Sequence, residues 1–264
     1  MPHVVRSTPL AAALVLALAA APWTLAPAPA AAQGLSEPDD AGRYSACMSL
    51  ASSDPEEAFA TANVWETEGG DDAARHCAAV ALLGLGQYAE AGQRLEALAD
   101  TLGAANAGLQ PDILAQAGQA WLLAGDTARA FAVQSAAIEL DPEDAELLVD
   151  RALTLATAQN YWEAIDDLNE AVNLAPDRAD ILIFRGSAYR YVDALELATD
   201  DINRGLELDP DNPEGLLERG ILRRLQGDDQ GARDDWLKVV TVAEGSPAAE
   251  AAQSNLETLD VKTE

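Results

Sequence analysis

The sequence predicts an all-α solenoid, a linear stack of helical hairpins closed by a terminal helix. Three observations carry that prediction. Pro142, Pro176 and Pro210 recur every 34 residues, and each ends a similar phrase: Ile138 to Pro142, Val172 to Pro176 and Leu206 to Pro210. Ala164, Ala198 and Ala232 keep the same register, as do Arg151, Arg185 and Arg219 and the pairs Asp166-Asp167, Asp200-Asp201 and Asp234-Asp235. Apolar residues between these markers recur at helical spacing. A fixed period of this size marks stacked supersecondary units, because one helical hairpin cannot bury its own apolar face and needs neighbours.

The ends and the composition narrow what such a stack is for. Residues 1–32 read as a cleaved secretory signal: Arg6 gives a positive start, Leu10 to Ala21 an apolar run, and Ala28 to Ala32 small residues at which to cut. The run is too short to span a bilayer comfortably, so no membrane span is expected once it is removed. The whole chain carries a net charge of −29, and removing Arg6 leaves 15 basic side chains against 45 acidic ones. Such a surface repels nucleic acid and anionic lipid, which sets both aside as partners. With 49 % hydrophobic residues the chain is too apolar for a disordered acidic tail.

Taken in order, residues 33–103 hold two less regular hairpins. In the first, Tyr44, Cys47 and Leu50 share a helix face. Asp54-Pro55 then supplies an N-cap and a first-turn proline, and Gly69-Gly70 stops the second helix. The second runs from Asp72 to Gly103, with a turn at Gly86-Gln87. Residues 104–110 add about five extra positions and are expected to act as a hinge. Residues 111–244 form the regular array, with units at Pro111 to Pro142, Ala145 to Pro176, Ala179 to Pro210 and Pro213 to Glu244. Residues 245–264 follow, with Ser246-Pro247 opening a capping helix whose Ala251, Leu256 and Leu259 should face inward.

Within each regular unit a small residue on the first helix (Gly118, Ala152, Gly186, Gly220) pairs with an alanine on the second (Ala130, Ala164, Ala198, Ala232). These positions resemble the tetratricopeptide repeat, with its bulky, small, aromatic, small, apolar, Ala and Pro signature. Arg223 departs from it at the aromatic position of the last unit, and Gln134 at the apolar position of the third. The resemblance covers residues 72–244 and implies a right-handed superhelix of hairpins whose concave groove binds a protein or peptide segment. It also implies which residues line that groove: Val149 and Leu153; Ile183, Ser187, Arg190 and Tyr191; Leu217, Ile221 and Arg224. The groove is then apolar along its middle, with Arg190 and Arg224 placed to orient a partner.

Other constellations read as structural. Cys47 and Cys77, a lone pair in an exported chain, are expected to form a disulfide worth roughly 3 to 4 kcal/mol. Arg151, Arg185 and Arg219 each precede an aspartate by 16 residues (Asp167, Asp201, Asp235), the offset that brings the returning helix alongside for an ion pair. No phosphate loop or nucleophile elbow is present, and His76 has no evident catalytic or metal-ligand companions, so neither cofactor nor catalysis is expected. The function that follows is a non-enzymatic periplasmic scaffold. The alternative is an accessory subunit of an envelope system for cell-wall, secretion or cytochrome assembly.

Overall fold

The computed structural model describes residues 38–261; the segment read as a signal, 1–32, lies outside the described residues. Among the described residues there are thirteen α-helices, a short 3-10 helix and no strand. Two hairpins come first, α1 (Pro38–Ser53) with α2 (Pro55–Thr67) and α3 (Asp71–Gly84) with α4 (Tyr88–Thr101). The regular units are α5 (Gln110–Leu123) and α6 (Thr127–Leu140), α7 (Ala145–Thr157) and α8 (Tyr161–Leu174), α9 (Ala179–Tyr191) and α10 (Leu195–Leu208), then α11 (Pro213–Leu225) and α12 (Asp229–Val242). The last helix, α13 (Pro247–Val261), packs on α12 and touches α11. Each helix packs on the next along the chain, which is the connectivity of a solenoid.

Local chemistry sets the helix ends. Asp54, Asp126, Asp144, Asn212 and Asp228 each accept a backbone N–H from the first turn of the helix that follows. Ser246 Oγ accepts from Ala249 N at 3.1 Å and opens α13. Between the two helices of a unit one residue takes a left-handed conformation, at φ 70° for Gly86, 80° for Gly125 and 86° for Gly227. Gln159 and Asp193 hold the same place at φ 64° and 61°, and they carry the strain that glycine avoids.

The close approach inside each hairpin is real, but its partner differs from the expected alanine. A Cβ on Gly186 would stand 2.8 Å from Ile202 Cγ1 and 3.1 Å from the Ala198 carbonyl; one on Gly118 would stand 2.5 Å from Gln134 Cγ; one on Gly220 would overlap the Trp236 indole. The small residue therefore makes room for the bulky side chain one turn beyond the alanine. Only the fourth unit carries Ala152 there, and it faces Leu168 rather than Ile, Trp or Gln. Gln134, the departure from the apolar pattern, is buried and donates to the Asp150 carbonyl at 3.2 Å, which satisfies its amide nitrogen within the core.

The three expected ion pairs form with two parallel bonds each. Arg151 donates to Asp167 at 2.8 and 2.7 Å, Arg185 to Asp201 at 2.7 and 2.7 Å, and Arg219 to Asp235 at 2.9 and 2.7 Å. The aspartates are buried and the arginine stems half-buried. Such a pair adds only about 0 to 1 kcal/mol when solvent reaches it, so its main effect is to fix the rotation of one helix against the other. In the third unit Ala117 and Val133 take these two places, and an apolar contact replaces the charge on both sides at once.

At the N-terminal end, Cys47 and Cys77 sit at disulfide distance with Cα atoms 6.2 Å apart, tying α1 to α3. Beside them Tyr44 Oη lies 2.7 Å from His76 Nδ1, and His76 Nε2 lies 2.9 Å from Gln116 Oε1 on α5. Burial lowers the His76 pKa, against the pull of the Gln116 bond, and the neutral ring satisfies both contacts. The connection through residues 102–109 carries the 3-10 helix Ala107–Leu109. Buried Asn106 there donates to Asp72 on α3 at 2.9 Å, and a Cβ on Gly92 of α4 would stand 2.7 Å from the Trp121 indole of α5. Motion at this joint has to break both contacts. α13 corrects one sequence expectation: Ala248, Ala252 and Leu259 are buried, whereas Ala251 faces outward toward the groove.

The glycine contact gives a direct test. Gly220→Ala is expected to lower unfolding free energy by about 1 to 3 kcal/mol in urea titration, because the rigid indole of Trp236 cannot yield. An unchanged midpoint would mean that the hairpin spacing is not set there.

Candidate protein-binding groove

The first helices α7, α9 and α11 contribute side chains to one shared surface, with α9 packed on α11 and α7 reaching them across a cavity. Positions four apart on one helix fall on the same face, so each unit contributes a short column of side chains to it. The columns border a half-open apolar cavity of about 150 Å³. Leu153 and Ala156 of α7 form one side, Ile183 and Phe184 of α9 the floor, and Leu217 of α11 the other side. A cavity of this size and polarity takes a benzene-sized apolar group. Tyr161 and Tyr191, which also line it, stack with ring centroids 4.5 Å apart and planes 4° from parallel. Pro247, Ala248 and Ala251 of α13 complete the lining.

Of the residues expected from the register, Leu153, Ile183, Ser187, Tyr191 and Leu217 come together at this cavity. Val149 does not: at 2 % exposure it packs among Leu148, Ile181 and Leu182 inside the array. Ile221 and Arg224 lie farther along α11, half-buried and outside the cavity lining. Arg190 is already engaged. Its guanidinium donates to Glu218 at 2.6 and 2.9 Å and stacks 4.3 Å from the Tyr191 ring, so it braces the groove instead of facing a partner. Arg223, similarly, donates to Asp235 at 2.7 Å and to the Gly231 carbonyl at 3.1 Å. Arg224 has no ion pair among the described residues.

Three features escaped the sequence reading: the α13 wall, the Tyr161–Tyr191 stack and the acid at the sixth place of the first helix. That place is Asp150 in α7, Phe184 in α9 and Glu218 in α11. Glu218 receives both Arg190 and the Ser187 hydroxyl, the latter at 3.2 Å. Asp150, 8 % exposed, receives only the Gln119 amide, at 3.2 and 3.4 Å. Burial first, then the nearby Glu146 carboxylate, pushes its pKa up to about 7, against the Gln119 bond. The spacing of 68 residues between Asp150 and Glu218, matched by Leu122 and Arg190, carried this signal in the sequence.

Among the described residues no group of three or more His, Cys, Asp or Glu is placed to hold a metal ion, and no helix is long and apolar enough to cross a membrane.

No protein-family model matches the chain, and no curated protein matches it. Solved structures do resemble it. One is the C-terminal part of a TPR repeat-containing protein from Cytophaga hutchinsonii, 18 % identical over 82 % of this chain and 95 % of that one, with a TM-score of 0.61. Another is MamA, residues 41 to the end, from Desulfovibrio magneticus RS-1, 24 % identical over 64 % of this chain and 93 % of that one, with a TM-score of 0.54. At these identities the likeness is one of fold.

The buried acid yields a prediction with a definite sign. An acid whose folded pKa lies above its unfolded value binds protons more tightly when folded. Asp150 therefore takes stability away as pH rises from about 4 to about 7 and takes no more above that. Asp150→Asn is expected to raise unfolding free energy by about 1 to 3 kcal/mol at pH 8 and to change it little at pH 4. Equal effects at the two pH values, read by denaturant titration, would contradict the assignment.

Proposed function

Because the chain folds as a tetratricopeptide-repeat array, we propose that it is a non-enzymatic scaffold that holds a segment of a partner protein against the inner face of α7, α9 and α11. The observation that carries this reading is the cavity between Leu153, Phe184 and Leu217, an apolar site with polar edges on the concave side of a rigid stack. Concave apolar sites with a few placed polar groups are where extended or helical segments dock, and the groove recognises side chains at fixed spacing. The cavity has room for one apolar side chain, so the site suits a segment that offers one such anchor.

We place the scaffold outside the cytoplasm, in the periplasm of a bacterium. The Cys47–Cys77 pair supports this, because such a bond persists in oxidising compartments, and residues 1–32 have the composition of an export signal. Terminal sequencing of the protein recovered from the periplasm is expected to begin near Gln33; a chain retained in the cytoplasm with Met1 present would contradict export.

The groove is tested by capture from a membrane-plus-periplasm extract with three baits. Wild type and Trp162→Glu, a change at a side chain 61 % exposed on α8 and outside the cavity lining, should retain the same partner. Leu217→Glu should lose at least about ten-fold of it, since burying an unpaired charge in an apolar site costs more than 1.4 kcal/mol. Equal capture by all three would place binding elsewhere.

A further inference from the structure

We propose that Asp150 is the anchor for a basic side chain, a lysine or arginine, of the segment that occupies the groove, an inference that rests on the scaffold function proposed for that groove. Two of the three first helices that build the concave face carry an acid at the same place, and the structure treats them differently. For Glu218 the preceding unit supplies Arg190, which reaches it with two hydrogen bonds. For Asp150 the equivalent residue of the preceding unit is Leu122, which has no charge to offer. No basic group lies within 4 Å of Asp150 among the described residues, and a single amide serves a carboxylate that can accept about four hydrogen bonds.

A buried carboxylate without a counter-charge destabilises a fold, and removing it is ordinarily favourable. The neighbouring unit shows that an apolar residue fits the same place, since Phe184 occupies it in α9. A cation delivered by a ligand turns that liability into recognition. Asp150 lies one helical turn before Leu153, whose side chain lines the cavity, so an anchored cation and an apolar side chain in the cavity would be neighbours along one bound segment. The net charge of −29 draws a basic segment toward this surface and repels an acidic one.

The test uses the full chain, disulfide intact, and selection from a phage-displayed library of random dodecapeptides. Selected peptides are expected to carry Lys or Arg within four residues of Leu, Phe or Tyr. Replacing that basic residue by norleucine in the synthetic peptide should weaken binding at least ten-fold to wild type and less than two-fold to Asp150→Asn. A second variant, Leu122→Arg, supplies internally the cation that Arg190 supplies to Glu218, and it should likewise erase the preference for the basic residue while raising the melting temperature. The proposal is overturned if binding is lost in Leu217→Glu yet the norleucine replacement has equal effect on wild type, Asp150→Asn and Leu122→Arg. Binding insensitive to Leu217→Glu, or no selected peptide at all, overturns the groove reading and this proposal with it.

Discussion

The structure depends on how closely the two helices of each hairpin can approach. Where Gly118, Gly186 and Gly220 stand, the space a Cβ would take belongs to Gln134, Ile202 and Trp236 of the returning helix. That interlock makes each hairpin a unit of fixed thickness, and units of equal thickness stack with a regular offset. Interiors packed to this density do not deform smoothly, so the inner surface built from α7, α9 and α11 is a preformed feature. The paired guanidinium and carboxylate groups of Arg151, Arg185 and Arg219 then set the rotation of the helices about their axes. Rotation decides which side chains reach the concave face. Geometry in the core thereby dictates chemistry at the surface.

The groove itself is assembled from residues with quite different duties. Leu153, Phe184 and Leu217 supply apolar area. Arg190, Glu218 and Ser187 form a polar group that spans two units and ties α9 to α11. α13 has two functions at once: Ala248, Ala252 and Leu259 cover the exposed side of the last unit, and Ala251 completes the groove wall. A capping helix that also shapes the site links stability at the C-terminal end to binding in the middle of the array. At the other end, the Cys47–Cys77 pair and the Tyr44–His76–Gln116 chain brace α1, α3 and α5, away from the groove.

Much of this was legible in the sequence because repetition converts spacing into geometry. The 34-residue period gave the hairpins, the 16-residue offset from Arg151 to Asp167 gave an ion pair, and the Asp54-Pro55 and Ser246-Pro247 pairs marked helix starts. What sequence reasoning lost were relations between units. Val149 has groove register but packs among Leu148, Ile181 and Leu182, a contact made with the next unit. Arg190 has the register of a groove cation, but its partner Glu218, 28 residues on, lies on the adjacent helix α11. Period alone puts Ala251 in the core, whereas the packing of α13 on α12 and α11 buries the neighbouring Ala252. Each miss concerns a contact that no single repeat contains.

Site-specific photo-crosslinking reads out whether partners are held on the inner face formed by α7, α9 and α11. With a benzophenone side chain at Leu153 or Leu217, covalent adducts to the captured partner should form; with the same group at Trp162 on α8 or Leu208 at the end of α10, none should. Adducts from the α8 and α10 positions alone would contradict the account.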